Sequence, residues 1–493
     1  MSVAGVQERL VEVPESDSGR GADRLPAGDA KTFRAYDPDQ VLLIAPVLSD
    51  WVPEGDLAHF VSDLVETALD LSPIYAGYEE ERGFPPYDPR LMLKLLIYGY
   101  ANGVMSSRKL EAATYRDVAA RMLCADQHPD YRSIARFRRR HLVALAGLFV
   151  QALRLCREAG LVGLGALALD GTKLRANASR HKAMSYERMV KKETQLEAEI
   201  AALRANVDGL LSDAERTDAI EDERFGPDYR GDDLPAELQR REQRLAVIQE
   251  AKSALEAEAF DRETKRRAEM QAQGKKPRQP PGGRDPFKPK PAAQRNFTDP
   301  ESRIMKTADG SFHQCFNGQA VVDSTTQVIV ACEVSHQAPD TQRLEPALNE
   351  LTANLALIGA VLPDGAVLTA DAGYISEENV KTTSEHGLDP FIATGRFKDG
   401  EPPPLAKRGR IPGNASTKQR MARKVRTKKG RAVYARRKAI VEPVFGQIHT
   451  VQNGRHLLLR GEAAARDQWS FACAIHNLLK LHRNGGLGLL SPG

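Results

Sequence analysis

The stretch that decides the fold is Val367-Leu368-Thr369-Ala370-Asp371-Ala372-Gly373-Tyr374. An apolar run ends in a carboxylate, and a glycine follows at once. A buried strand looks like this when it delivers an acid to its carboxyl end and then turns. The same arrangement occurs earlier, in Gly165-Ala166-Leu167-Ala168-Leu169-Asp170-Gly171-Thr172-Lys173. A third acid, Glu442, opens the run Glu442-Pro443-Val444-Phe445-Gly446-Gln447-Ile448-His449, read as a helix start near Val441. Two strand-end aspartates and this glutamate offer the hard oxygen donors that a pair of divalent cations would share.

Outward from the Asp371 strand, the period alternates between strand and helix. Gln319 to Val322 and Gln327 to Val334 read as strands joined by the turn Asp323-Ser324-Thr325-Thr326. Asp340-Thr341 reads as the cap of a helix with Leu344, Leu348, Leu351 and Leu355 on its apolar face. A helix from Ser376 to His386 and a short strand from Pro390 to Ala393 follow. The fold class is therefore α/β: an RNase H-like mixed sheet flanked by helices. An all-helical N-terminal domain precedes it, and a helical insertion interrupts it. The insertion spans Tyr186 to Phe260, where Leu196, Ile200 and Leu203, then Leu238, Leu245, Ile248 and Leu255, repeat at helical spacing around Gly226-Pro227-Asp228. That is a helical hairpin, returned to the core by a Lys/Arg/Pro/Gly connector from Lys265 to Pro291.

The expected divisions are a polar tail over 1–33, a helical DNA-binding domain over 34–160 and the first core strand over 161–187. The helical arm with its basic connector covers 188–296, and the remainder of the core covers 297–485. Within the helical domain, Ile134, Phe137 and His141 share one face, while Arg132, Arg136, Arg139 and Arg140 fall on another. Short helices followed by such an arginine row suggest a helix-turn-helix. A solvated basic face on a bundle helix is the bland alternative.

The net charge of +4 hides a segregated distribution. From Arg396 to Lys438, lysines and arginines far outnumber Asp399 and Glu401, which points to a polyanion bound beside Glu442. Arg423, Lys424, Arg426, Lys428 and Lys429 are its densest part. The five cysteines have no metal-site or redox-pair spacing, so buried thiols in a reducing cytoplasm are expected. No apolar run reaches membrane-spanning length.

At this point the chain resembles the Asp-Asp-Glu transposases of bacterial insertion sequences. The resemblance rests on Ala168-Leu169-Asp170-Gly171-Thr172-Lys173, Thr369-Ala370-Asp371-Ala372-Gly373-Tyr374 and Val441-Glu442-Pro443-Val444-Phe445-Gly446-Gln447. Thr298 to Lys306 looks like the entry to the family's second strand, and Pro129 to His141 like its preceding helical domain. The resemblance implies that Asp170, Asp371 and Glu442 are catalytic and hold Mg²⁺ or Mn²⁺, as two ions. It implies double-stranded DNA as partner, both terminal inverted repeats and target, and a homo-oligomer on the DNA ends near the bacterial nucleoid. The family's helper Tyr, Arg and Lys fall nearest to Tyr434, Arg437 or Lys438, and His449. Tyr434 is one residue out of register, and a histidine stands in the lysine's place. Lys173, Lys438 and His449 are further candidates for DNA contact. A related nuclease that cuts without joining, and an inactive DNA-binding regulator, are the rival readings.

Overall fold

Leu167, Ala168 and Leu169 are fully shielded from solvent. In the computed structural model they lie at the centre of a six-stranded mixed sheet. The structure describes residues 47–78, 86–179, 182–221, 234–272, 274–277, 283–395, 405–406 and 409–490. The expected tail over 1–33, the turn at Gly226-Pro227-Asp228 and the run Pro402-Pro403-Pro404 lie outside the described residues.

Helices come first: α1 (Leu57–Asp63), α2 (Ser72–Tyr75), α3 (Pro89–Ala101), α4 (Ser107–Arg116), α5 (Val118–Leu123), α6 (Tyr131–Arg140) and α7 (Leu142–Glu158). Aspartates set several of their starts. Asp56, Asp88, Asp117 and Asp130 each accept a first-turn backbone N–H, which satisfies a donor the helix itself cannot. Ile134, Phe137 and His141 are buried together, as their spacing predicts. The connection between α5 and α6 covers residues 124–130, longer than the roughly 3–4-residue turn of a helix-turn-helix.

Next come β1 (Ala166–Arg175), β2 (Ala183–Ser185), the long helices α8 (Tyr186–Glu221) and α9 (Leu234–Ala272), and β3 (Gln294–Asn296). Lys252 pairs with Glu193 at 2.6 Å and Arg241 with Glu199 at 3.2 Å, so α8 and α9 run antiparallel. Met189, Leu196, Ile248, Ala251 and Leu255 form a small core of their own. β2 pairs with β3 and closes the base of this arm. The connector expected from Lys265 begins later, because α9 continues to Ala272.

The chain then forms β4 (Arg303–Lys306), β5 (Phe312–Asp323), β6 (Ile329–Ser335), α10 (Leu344–Leu357), β7 (Val367–Ala370), α11 (Glu377–Glu385), β8 (Asp389–Ile392), α12 (Thr417–Arg426), α13 (Lys428–Gly446) and α14 (Glu462–Arg483). The strand order is β4-β5-β1-β7-β8, with β6 also pairing to β5. β1, β7 and β8 are parallel, whereas β5 is antiparallel to β1. This is the RNase H-like arrangement. α7 packs along α14, with Cys156 Sγ 3.4 Å from the Asn477 carbonyl. Buried residues of both helices belong to one core with the sheet. All five cysteines are buried and free. Among the described residues, no helix is long and apolar enough to cross a membrane.

Candidate active site

The parallel ladder between β1 and β7 ends at the pair Leu169 and Ala370. The next residue along each chain is an aspartate, so Asp170, within β1, and Asp371, just past β7, stand side by side where the parallel ladder ends. That is where open α/β sheets place their ligands. Asp371 leaves the sheet here, and its Oδ1 accepts the Gly373 N–H at 2.7 Å to cap a short 3-10 turn over Ala372–Tyr374. Asp170 differs from expectation. β1 does not turn at Gly171 but continues to Arg175, because β5 is long enough to pair with it as far as Arg175 and Cys315. Gly171 serves close packing instead: a Cβ there would lie 2.5 Å from Gln319 Nε2 and 3.1 Å from Asp340 Oδ1.

Across Asp170 lies α13. Arg437 Nη1 donates to Asp170 Oδ2 at 2.8 Å, and the two side chains are only 11% and 23% exposed. Burial pushes the Asp170 carboxyl above its ordinary range. Arg437 and the Gly171 N–H pull it back, and the neighbouring Asp371 charge pushes it up again. Tyr434, one turn earlier on α13, is raised mainly by burial and also feels Arg437 and Asp371. Of the helper candidates, Arg437 contacts Asp170 directly and Tyr434 lies beside Arg437, while Lys438 is exposed.

Glu442 lies near the end of α13, not at a helix start. The helix opens at Lys428, where Thr427 accepts the Gly430 N–H, and it runs through Pro443. A proline inside a helix leaves the carbonyl four residues earlier without its donor. Here that carbonyl, on Ala439, accepts from Gln327 Nε2 at 2.9 Å. A residue from the β5–β6 turn therefore makes the continuous helix tolerable. Glu442 is exposed and forms no ion pair among the described residues. It falls between two anchor points on β1: Arg437 on Asp170, and His449 Nε2 on Thr172 Oγ1 at 3.1 Å. Burial, helped by Arg455, lowers His449 to about 4, so its imidazole is neutral at neutral pH.

Asp170 and Asp371 suit a divalent cation. They are adjacent carboxylates at a strand-end crevice, and one of them already takes a guanidinium as counter-charge. Glu442 does not complete the set in this conformation: among the described residues, no three acid, histidine or cysteine side chains converge as a metal site. Behind the aspartates lies a group that sequence reasoning missed. Asp340, read as a cap, instead receives Lys173 Nζ at 3.2 Å, Asn317 Nδ2 at 2.8 Å and Gln319 Nε2 at 3.2 Å. Lys173 is thereby turned to the face opposite Asp170.

The basic candidates divide by what they touch. On α6, Arg132, Arg136 and Arg139 are exposed, whereas Arg140 reaches the Gly77 carbonyl and stacks over Tyr78. Arg138 is buried against Met105 and Ser107. In the basic block, Arg423 donates to the Gly409 carbonyl. Lys424 pairs with Asp389 and sits 4.4 Å from the Phe391 ring centre. Arg426 is half-buried, and Lys428 and Lys429 are exposed at the start of α13.

Residues 46–140 match the family model of a transposase domain, and residues 285–478 match that of the transposase DDE domain. The chain belongs to the DDE transposases of insertion-sequence type. In this transposase the matched DDE segment contains Asp371 and Glu442, while β1 with Asp170 precedes it, across the α8–α9 arm. No curated protein and no solved structure matches the chain.

Proposed function

We propose that this transposase cleaves DNA at the ends of its own element and joins the freed ends to target DNA, with Asp170, Asp371 and Glu442 as its acids. The observation that carries the reading is that Asp170 and Asp371 are the next residues after the last pair of the parallel β1–β7 ladder, beside a helix that bears Glu442. Asp170, Asp371 and Glu442 would together hold Mg²⁺ or Mn²⁺, as two ions. Bound there, the ions would activate an attacking oxygen and neutralise the leaving one. The protein's own share is to set Asp170 within β1 and Asp371 just past β7, and to hold the Arg437 guanidinium against Asp170 as a counter-charge. Arg437 also brings a planar, permanently charged donor to the place where a phosphodiester would lie. The exposed arginines of α6 and the exposed lysines at the start of α13 would bind the DNA backbone, positioning it without reading its bases. A homo-oligomer on paired DNA ends belongs to the same reading.

A second reading, a DNA-binding regulator without cleavage, draws on one observation: Glu442 stands apart from the aspartates. A labelled terminal-repeat DNA incubated with the protein and Mg²⁺ tests both. Joined products support transposition. Cut products alone would mean a nuclease, and shifted bands without cutting a regulator.

A further inference from the structure

Resting on the reading of Asp170 and Asp371 as cation ligands, we infer that Asp340 is a positioning residue of that site: one carboxylate, outside the three acids, that locks the Asp170 strand to the Asp371 turn. It bonds to one half directly, lies close to the other, and is joined to it through the next residue, Thr341. Its Oδ1 accepts from Lys173 on β1 and from Asn317 and Gln319 on β5. Those residues sit across from one another in the ladder, Lys173 opposite Asn317 and Gly171 opposite Gln319, so Asp340 spans the β1–β5 pair just below Asp170. Its Oδ2 faces the other half. A Cβ on Gly373 would lie 3.5 Å from that oxygen and 2.9 Å from Asp371 Oδ1.

The neighbouring residues complete the lock. Thr341 Oγ1 donates to the Gly373 carbonyl at 2.7 Å. Asn379 Nδ2 donates to the Thr341 carbonyl at 2.8 Å and to the Tyr374 carbonyl at 2.6 Å. The fully buried Tyr374 hydroxyl donates to Gln319 Oε1, returning the chain of bonds to β5. A capping role does not account for Asp340. The short turn over Asp340–Gln342 has Pro339 at its cap position and no side-chain cap bond. The carboxylate points into the sheet instead. Its charge also offsets Lys173, whose ammonium would otherwise stand uncompensated behind two carboxylates meant for a cation. The glycines that follow Asp170 and Asp371 fit the same account, since a side chain at either would press on this network.

The test is Mn²⁺ binding by calorimetry to the full chain, with thermal unfolding of the metal-free protein measured alongside. Asp340→Asn keeps the shape and removes the charge that collects the three donors. Asp323→Asn is the structural control, because Asp323 is a fully buried carboxylate at the far end of β5, bonded to Leu164 N and Thr325 N, where Asp340 is partly exposed. Asp340→Asn should weaken Mn²⁺ by about tenfold or more, the usual effect of removing a group that orients metal ligands. Asp323→Asn should lower thermal stability and leave Mn²⁺ affinity alone. Thr341→Val, a milder cut in the same link, should weaken Mn²⁺ in the same direction and stands in if Asp340→Asn does not fold. Unchanged affinity in the folded Asp340→Asn or Thr341→Val protein overturns the inference and leaves Asp340 a structural turn residue. Wild-type protein that fails to bind Mn²⁺, or binds it equally well as Asp371→Asn, overturns the cation reading itself and this inference with it.

Discussion

Nη1 of Arg437 donates to Oδ2 of Asp170 at 2.8 Å, joining residues 267 apart in the sequence. The pair fastens α13 to the central strand at the site of proposed chemistry. On either side of it along the same helix, Ala432, Val433, Arg436 and Ile440 border a cavity of about 180 Å³ beside β1 and β7. Arg437→Gln should destabilise the metal-free protein by roughly 2 kcal/mol, since it leaves a largely buried carboxylate without its charged donor. It should also increase amide exchange along α13. Mn²⁺ should then raise the melting temperature of the variant more than that of the wild type, because the cation replaces the missing charge. Equal shifts in the two proteins would mean that Arg437 and the metal do not compete for Asp170.

The arginines of α6 separate into two kinds. Replacing Arg132, Arg136 and Arg139 with alanine should weaken terminal-repeat binding and flatten its salt dependence, with little change in melting temperature. Arg138→Ala should do the reverse. Arg138 is 5% exposed and bonds to the Met105 carbonyl and Ser107 Oγ. Its loss should cost stability of about 1–3 kcal/mol. Gel-shift titrations at several salt concentrations, paired with thermal unfolding, check both halves.

In the basic block, Lys428→Gln with Lys429→Gln should lower affinity for all DNA sequences alike, because phosphate contacts carry no base information. Lys424→Gln should act on stability instead, through its lost pairing with Asp389 and the Phe391 ring. Loss of terminal-repeat preference in the Lys428/Lys429 variant would show that this region reads sequence.

His449 gives the protein a calculable sensitivity to acid. Its folded value is about 4 against an ordinary 6.5, lowered first by burial. Between those values the unfolded chain binds a proton that the native chain does not, so stability is full above pH 6.5 and falls as the pH drops toward 4. His449→Gln should remove up to about 3 kcal/mol of that acid-induced loss. Fully buried His476, lowered to about 3, contributes over the same window and should keep the variant partly acid-sensitive. Melting temperatures measured from pH 7 to pH 4 check the difference between the two proteins.

The sheet and its two aspartates were legible because a buried parallel strand must be apolar on both faces. Runs such as Leu167-Ala168-Leu169 and Val367-Leu368-Thr369-Ala370 therefore mark the end at which the acid stands. What local signals alone decided was less secure. Glu442-Pro443 reads as a helix start because proline favours the first turn. The helix instead runs through it, since Gln327, more than a hundred residues earlier in the chain, satisfies the freed Ala439 carbonyl. Asp340 reads as a cap because Asp before a helix usually is one. Its partners Lys173, Asn317 and Gln319 lie on other strands, and only the sheet register brings them together. The arginine row of α6 was visible as a pattern, but which members face solvent depends on Met105, Ser107, Gly77 and Tyr78, residues outside the helix.

The most direct measurement of the central claim is Mg²⁺-dependent cleavage and joining of labelled terminal-repeat DNA by wild type, Asp170→Asn, Asp371→Asn and Glu442→Gln, with DNA affinity measured on the same preparations. Each substitution keeps the side-chain shape and removes one charged oxygen ligand. All three variants should bind the DNA about as the wild type does and yield neither cut nor joined products. Wild-type levels of product from any one variant, Glu442→Gln above all, would contradict the three-acid site and remove that residue from it.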